Sequence, residues 1–298
     1  MLYILYMLPI KKLYIDSRDR TADSVSESSF RVDLPQVIQM PANSVFFITD
    51  VCIPHVWTTI ESGINDKLYL WVIDTTVPVV QANINAYYVI TMTAGNYTAA
   101  TLAQVLQTSL NNIVPDNSHN LFTCRNTSGA NDLQIAINIS NRSVVILSDN
   151  SLTTLYASQQ LPWVNGTVDF SNLSSMNDII KNYASVTAPH PLDTTHPYNI
   201  DFVNLQPVNN VYMTSPTLGS YDTLSTFSNN VIKKIPVTAD YGYMIVDQFI
   251  AMNDFLDCSK QTFKTLEFHI RDGRGREIKL HGSHISFSIV FNKWQEDI

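Results

Sequence analysis

The stretch "TLEFHIRDGRGREIKLHGSHISFSIVF", residues 265–291, consists of two runs of alternating apolar residues on either side of a glycine-rich turn. In an extended chain every second side chain points to the same face, so the apolar residues from Leu266 to Ile270 form one face of a β-strand. The Asp-Gly pair that ends at Gly273 is typical of tight turns, and we expect both Gly273 and Gly275 to take a positive φ. The stretch therefore predicts two strands joined by a turn.

The turn also carries three arginines, Arg271, Arg274 and Arg276, in a chain with few charges. A phosphate-binding loop with the pattern GxxxxGK would lead into a helix, whereas a strand pattern follows this turn. The recognition tripeptide Arg-Gly-Asp does not occur in it. We therefore interpret the turn as a hairpin tip whose arginines are solvated or contact a carboxylate of a neighbouring molecule.

Strand patterns of the same kind occur early and late in the chain, and each is rich in β-branched and aromatic residues and bounded by Pro, Asn, Asp or Gly. Many short strands with turn residues between them predict an all-β sandwich or barrel. The early runs are 28–34, 44–53, 66–74 and 86–93, and the late runs are 208–215, 229–237, 243–250, 265–272 and 284–291.

The segment between the two sets of strands has a different pattern. In "GNYTAATLAQVLQTSLNN", residues 95–112, the apolar residues from Leu102 to Leu110 recur at the spacing of an amphipathic helix, and Thr98 is a suitable N-cap. This pattern predicts a small α+β module inserted into the all-β domain. Strand-like runs follow at 121–126, 133–139 and 143–148, and short helical patterns at 151–158 and 174–184.

Composition restricts the function classes. The chain has 298 residues, of which 15% are charged, and its net charge is −8. Because soluble domains have about 25% charged residues, this weakly charged surface suits a protein that contacts neighbours over much of its area. An acidic chain without a basic face argues against nucleic acid as the main ligand. Cys52, Cys124 and Cys258 are odd in number and far apart, which predicts a reducing compartment and no disulfide framework.

The N-terminal run "MLYILYMLP" is apolar but much shorter than the ~20 residues of a membrane span. Its positive charges, Lys11 and Lys12, follow the apolar run, which is the reverse of a signal peptide. Two interpretations of residues 1–12 are open, an arm that packs on a partner or a disordered tail. The charged segment "YIDSRDRT", residues 14–21, is likewise either a solvent-facing loop or an arm that makes salt links to a neighbouring subunit.

Motifs of catalysis are absent: the chain has no GxSxG, HExxH or GxGxxG pattern. The remaining histidine and acidic groups are His281 with His284, His190 with Asp193 and His196, and Asp254 with Asp257. The first pair would point to opposite faces of a strand, the second group lies in a proline-bounded polar loop, and the third lacks the spacing of a calcium loop. The sequence therefore predicts no enzyme, with no catalytic residues, no metal ligands and no cofactor.

Several segments together resemble one protein family. They are "LYIDSRDRT" with the strands that follow it, "MTAGNYTAATLAQVLQTSLNN", "LQPVNNVYMTSPTLGSYDTL" and the run from "NNVIKKIPV" to "HISFSIVF". Their order along residues 13–110 and 200–291 resembles that of the penton (minor capsid) proteins of Polinton/Maverick elements, adintoviruses and mavirus-like virophages. Residues 115–200 match this family less clearly.

The resemblance implies a single jelly roll, an eight-stranded β-sandwich, with an inserted module. It also implies a homopentamer at the five-fold vertices of an icosahedral virion, assembled inside the host cell and in contact with a double-jelly-roll major capsid protein. The insertion would be the candidate host-receptor-binding part. The expected domains are 1–94 with 201–298 for the jelly roll, including the arm 1–12, and 95–200 for the insertion. The expected jelly-roll strands are the runs given above, with 243–250 as a ninth candidate or a linking segment.

Functions of two other classes remain open at this point. A jelly-roll attachment module that binds carbohydrate or a host receptor would need an exposed cluster of aromatic and carboxylate side chains at one end of the sandwich. A cupin-like metalloenzyme would need histidines close together on facing strands, and the seven histidines of this chain do not have that spacing.

Overall fold

The computed structural model describes most of the chain and divides it into two compact units. The first unit contains the residues up to Trp57 and those from Val208 onward, and the second is Thr58–Pro207. Each unit has its own core, so each is described separately. The described residues are 11–74, 86–114, 121–159, 161–182, 191–218, 230–250 and 254–293.

Strands dominate the described residues, and the helices are few. The strands are β1 (Lys11–Asp16), β2 (Ser29–Gln39), β3 (Ser44–Pro54), β4 (Lys67–Asp74), β5 (Ala86–Thr91), β6 (Phe122–Arg125), β7 (Leu133–Ile137), β8 (Arg142–Ile146), β9 (Trp163–Val164), β10 (Tyr198–Ile200), β11 (Asn210–Thr214), β12 (Val231–Pro236), β13 (Met244–Asp247), β14 (Leu256–Asp257), β15 (Thr262–Arg271) and β16 (Ser286–Lys293). The helices are α1 (Ala99–Ile113), α2 (Asp149–Ser151) with the π-helical turn Leu152–Tyr156, α3 (Asn177–Ile180) and a 3₁₀ turn at Ser17–Asp19.

The first unit contains two antiparallel sheets. One has the order β1-β16-β3-β13, with β14 also paired to β3, and the other has the order β2-β15-β11-β12. The first strand therefore pairs with the last, and the second strand pairs with the one before the last. Strands β1, β2 and β3 alternate between the two sheets, and so do β14, β15 and β16. This is the strand pairing of a jelly roll. The predicted all-β jelly-roll fold class is confirmed.

Alternating apolar residues fill the space between these two sheets. Phe268 of β15 is fully buried, and its ring centroid lies 4.9 Å from that of Phe287 and 5.5 Å from that of Phe30. Phe287 belongs to β16 in the first sheet and Phe30 to β2 in the second, so the three rings join the sheets across the core. Large aromatic side chains packed edge to face contribute much of the stability of such a core.

Two predicted jelly-roll strands belong elsewhere. The runs 66–74 and 86–93 form β4 and β5, which pair with each other and with β8 and β9 in the second unit. The jelly roll instead uses β1 and β13. For the same reason the second unit begins at Thr58 and ends at Pro207, whereas the sequence predicts an insertion of 95–200. The pairing partner of a strand is not encoded in its own alternation, which explains the difference.

The second unit combines two sheets with α1. Strands β8-β4-β5-β9 form one sheet and β10-β7-β6 the other. The apolar stripe of α1 packs with residues of both sheets into one core, and the opposite face of β4, with Tyr69 fully buried, packs against the segment after β8. The larger sheet is therefore covered on both faces, as its nearly continuous apolar strands require.

Helix α1 begins where the sequence predicts. Thr98 is its N-cap: the hydroxyl of Thr98 accepts the backbone N–H of Thr101 at 3.2 Å, and the hydroxyl of Thr101 accepts the backbone N–H of Thr98 at 2.9 Å. This reciprocal pair is a capping box, with threonine in the position usually taken by Glu or Gln. The helix predicted within 95–112 is confirmed, and the short helical patterns at 151–158 and 174–184 correspond to brief helical turns, with residues 183–184 outside the described part of the chain.

The arginine-rich turn that follows β15 is organised by a buried aspartate. The carboxylate of Asp272 accepts the backbone N–H groups of Arg274 and Arg276, both at 2.9 Å, and the Arg276 Nε at 2.8 Å. After the turn, the backbone N–H of Ile278 bonds to the carbonyl of Ile270 at 3.0 Å. The predicted turn is confirmed, but it is not the tip of a hairpin between the last two strands, because β15 and β16 belong to different sheets. The interpretation of all its arginines as solvated is also wrong, because Arg276 is half-buried against Asp272.

The two glycines of this turn differ in conformation. Gly275 has a φ of 81°, whereas Gly273 is not among the residues of positive φ, so the expectation of positive φ is confirmed for Gly275 and wrong for Gly273. A Cβ added to Gly273 would lie 3.7 Å from the ring of Tyr212, an ordinary contact distance. Only Gly275 therefore needs to be glycine for its backbone conformation.

We predict that Gly275→Val lowers the free energy of unfolding by about 1–3 kcal/mol, because a β-branched residue is strained at positive φ. The matched control is Gly273→Val in the same turn, for which we expect a smaller loss. Chemical denaturation of both variants measures the difference. Equal losses in the two variants would show that the positive φ of Gly275 is not what stabilises the turn.

Candidate functional site

Strand β13 is an edge of its sheet. It pairs with β3, with Ile245 opposite Ile53 and Val246 opposite Cys52. Among the described residues, no strand pairs with its other side. A strand edge leaves backbone N–H and C=O groups available to another chain, and natural proteins cover or charge such edges when they are not used.

The segment around β13 also exposes large apolar side chains. Ile245 points into the core, so its neighbours Met244 and Val246 point outward. Tyr243 is 70% exposed and Phe249 is 73% exposed, unusually high values for aromatic side chains. We call this segment the β13 surface; its exposed residues are Tyr241, Tyr243, Met244, Val246, Phe249 and Ile250.

The chain leading into β13 is held by the end of β3. The backbone N–H of His55 donates to the carbonyl of Tyr243 at 2.9 Å, and the N–H of Gly242 donates to the carbonyl of His55 at 2.8 Å. The imidazole Nδ1 of His55 lies 2.7 Å from the carbonyl oxygen of Ala239. Gly242 has a φ of 86°, a conformation that favours glycine. These bonds present Tyr243 outward on a fixed turn.

The chain leaving β13 is held by a buried lysine. Lys233 of β12 donates from Nζ to the carbonyl of Phe249 at 2.5 Å and to Asp254 Oδ2 at 3.4 Å. Its Nζ also lies 3.5 Å from Asp247 Oδ2. Because the ammonium group is buried, these oxygens replace the water that it loses. Lys233 thereby fixes the backbone beneath the exposed ring of Phe249.

The β13 surface is suited to binding another protein segment. It combines a strand edge that has no partner among the described residues with a series of exposed apolar and aromatic side chains, which are features of a site for strand addition. Its charged group Asp247 is engaged by Lys233. The sequence predicted a strand or linker at 243–250 but not this exposure, since the run reads as apolar on both faces.

The charged segment 14–21 forms its ion pairs within the chain. Arg18 donates to both carboxylate oxygens of Asp16, at 3.0 and 2.6 Å, and these bonds lower the pKa of Asp16. Arg20 donates to Glu27 at 3.2 Å and to the carbonyl of Ser17 at 3.1 Å. These bonds account for three of the segment's charges, those of Asp16, Arg18 and Arg20. A salt link to a neighbouring subunit stays a prediction.

The predicted N-terminal arm overlaps the first strand. Its last two residues, Lys11 and Lys12, belong to β1, and residues 1–10 lie outside the described part of the chain. Lys12 donates to Asp50 Oδ2 at 3.0 Å. No helix in the described ranges is long and apolar enough to cross a membrane.

The loop considered for metal binding is an exposed turn. Asp193 Oδ1 accepts the backbone N–H groups of Thr195 at 2.7 Å and of His196 at 2.8 Å. Hydrogen bonds from Thr195 and His196 hold the pKa of Asp193 below its usual range. His190 lies outside the described residues. Within those that the structure describes, no three histidine, cysteine or acidic residues are grouped so as to hold a metal ion.

The other histidine and acidic residues considered above have structural contacts. His284 Nδ1 lies 3.3 Å from the hydroxyl of Ser17, and His281 occupies a turn with a φ of 49°. Asp257 Oδ1 accepts the backbone N–H of Ser259 at 2.9 Å. His281 and His284 both lie in the segment between β15 and β16, and Asp257 lies in β14.

The three cysteines are free thiols. Burial raises the pKa of Cys124 to about 12, and burial, with a smaller effect of Asp257, raises that of Cys258 to about 12. A thiol with such a pKa is protonated at neutral pH and is a poor nucleophile. Cys52 is half-buried on β3 beside β13.

Comparison with known proteins gave matches among solved structures. No protein-family model matches the chain, and no curated protein matches it. The crystal structure of the penton protein of mavirus matches with a TM-score of 0.50 and 8% sequence identity, over 95% of this chain and 100% of the penton chain. A chain of the Sputnik virophage, solved by cryo-EM, matches with a TM-score of 0.40 and 12% identity, over 95% of this chain and 98% of that one.

At 8% identity the likeness to the mavirus penton protein shows a shared fold. The likeness to the Sputnik chain is too low in TM-score to support an argument. The penton fold agrees with the jelly-roll pairing of the first unit.

Proposed function

We propose that this chain is a structural virion protein, a penton (minor capsid) protein that forms homopentamers at the five-fold vertices of an icosahedral capsid. In this proposal it contacts a double-jelly-roll major capsid protein and is assembled in the host cell interior. The observation that carries the proposal is the jelly-roll pairing of the first unit within a fold that matches the whole mavirus penton chain.

The surface of the first unit supports self-association. Tyr14, on β1 at one edge of its first sheet, is 78% exposed, and the β13 surface lies at the opposite edge of that sheet. An apolar patch of this kind on a soluble protein marks an interface with another molecule. The low fraction of charged residues favours the same interpretation.

We propose that the second unit is an insertion between β3 and β11 and that it is the part able to bind a host receptor. The proposal assigns it no catalytic function. The expected insertion of 95–200 lies within this unit, Thr58–Pro207.

A second candidate function is an attachment module that binds carbohydrate. It is favoured by an aromatic group in the second unit: the rings of Trp71 and Tyr87 stack with centroids 5.9 Å apart, and that of Trp163 lies 5.4 Å from Tyr87. The indole N–H of Trp71 lacks a hydrogen-bond partner among the described residues. This N–H is buried, so the aromatic rings alone favour the candidate, through their capacity to stack on a ligand.

Light scattering of the purified chain, alone and mixed with its major capsid protein, tests the proposed function. We expect a species of five times the 33.6 kDa chain mass, alone or in the mixture, and density for the chain at the vertices of purified particles. A chain that stays monomeric in the mixture and is missing from particles would contradict the proposal. Binding to a glycan array that is lost in Trp71→Ala would then support the attachment module.

A further inference from the structure

We propose that residues 1–10 of a second copy of this chain add a strand to the free edge of β13. The inference rests on the proposed function in one respect, that copies of the chain associate. The two partners of the contact are residues 1–10 of one copy and the β13 edge of another, and the penton fold alone specifies neither.

The β13 surface and the N-terminal segment match in chemistry. Residues 1–10, "MLYILYMLPI", contain no charged side chain and are apolar at both odd and even positions. A run that is apolar on both faces is typical of a strand that is covered on both sides. Added to β13, one face of the segment would lie over the core side, and the other would extend the exposed row of Met244 and Val246.

Strand addition also satisfies the backbone of the edge. The described residues provide no partner strand on the outer side of β13, where an added strand would find N–H and C=O groups. β13 has four residues, so a ten-residue segment is long enough to cover it completely. The segment contains one proline, Pro9, which is next to its last residue. At that end of a strand the missing N–H does not interrupt the hydrogen-bond ladder.

The register of the sheet argues that the segment comes from another copy. Lys11 lies opposite Phe291, which lies opposite Phe46, whereas the near end of β13 lies opposite Val51. Lys11 is thus ~17 Å from the near end of β13 in the direction of the strands. Perpendicular to the strands, β1 and β13 are three strand spacings apart, which is ~14 Å. This path of ~22 Å uses about seven extended residues. The remaining three cannot cover β13 within the same chain.

Donation between copies has a consequence for assembly. Each copy would donate its N-terminal segment from the β1 edge and receive one at the β13 edge, which are opposite edges of one sheet. Such a contact joins two different surfaces and is repeated from copy to copy, so it closes into a ring when the rotation between copies permits.

Cross-linking between two variants of the full-length chain tests the inference. One carries Leu5→Cys and the other Met244→Cys, both with Cys52→Ser, because Cys52 lies opposite Val246 and would compete for the new thiol. The two proteins are mixed, treated with a short bis-maleimide and analysed by denaturing gel and mass spectrometry. We expect a product of twice the chain mass that joins residues 5 and 244.

The matched control replaces Met244→Cys by Val37→Cys, since Val37 is an exposed apolar residue on β2, in the other sheet. We expect at least tenfold less product with this partner. Equal product with both partners, or a pentamer that forms with no link between residues 5 and 244, would overturn strand donation while leaving the proposed function intact. A chain that remains monomeric with its capsid partner and is missing from particles would overturn both.

Discussion

Replacing Phe268 by alanine is expected to lower the free energy of unfolding of the first unit by about 3–5 kcal/mol. The ring is fully buried and packs between Phe30 of one sheet and Phe287 of the other, so its removal leaves a cavity at the centre of the sandwich. For a unit of this size we expect a fall in melting temperature on the order of 10 °C. Hydrogen exchange followed by mass spectrometry measures the loss of protection in β15 and β16.

The matched control is Phe122→Ala, which removes an equally buried ring from the second unit. We expect its effect on exchange to be largest in α1 and β6. If Phe268→Ala changes protection in α1 as much as in β15, the two units do not have separate cores. A loss below ~1 kcal/mol would show that Phe268 does not fill the space between the sheets.

The second large effect is expected from Lys233→Met, which keeps the length of the side chain but removes its charge. Removing one partner of a buried ion pair usually costs ~3–5 kcal/mol, because the other charge stays behind without compensation. We expect about 2–4 kcal/mol here, since the side chain of Asp254 is 31% exposed and regains water. The carbonyl of Phe249 loses its donor at the same time. Chemical denaturation gives the total loss, and hydrogen exchange shows faster exchange in 244–250.

Lys234→Met is the matched control, because Lys234 is the exposed neighbour on the same strand. Its effect is expected to lie within ~0.5 kcal/mol. Adding Asp247→Asn to Lys233→Met should restore part of the loss, since it removes one of the uncompensated charges. If Lys233→Met and Lys234→Met are equally mild, the segment that follows β13 does not depend on the buried ammonium group.

Periodicity located the strands but did not identify their partners. The run that became β3 was predicted nearly to the residue, because apolar alternation follows directly from having one buried face. The runs that became β4 and β5 were equally clear, yet they belong to the second unit. The sequence assigns residues 11–16 to an arm and a charged segment, whereas they form β1, in which the apolar Leu13 and Ile15 lie on one face. Pairing partners depend on the whole chain, and local pattern does not contain that information.

The candidate site could be predicted only in part. The run 243–250 was recognised as strand-like, but the exposure of Tyr243 and Phe249 could not be, because an apolar residue at an interface reads like one in a core. The bonds of Lys233 to the segment after β13 join residues of different strands and leave no local signal. The turn after β15 was likewise predicted only in part. The Asp-Gly dipeptide correctly indicates a turn, but the positive φ occurs at Gly275 and not at Gly273.

The pairing of first strands with last strands sets the order in which this protein can fold during synthesis. Ser29 of β2 faces His269 of β15, 240 residues later, and β1 and β3 likewise pair with strands from the end of the chain. At ribosomal speed the interval between partners is roughly 10–50 s. The second unit, Thr58–Pro207, is complete long before then. The first three strands therefore emerge with unpaired edges and wait for the C-terminal strands, which makes the nascent chain dependent on protection from premature strand pairing.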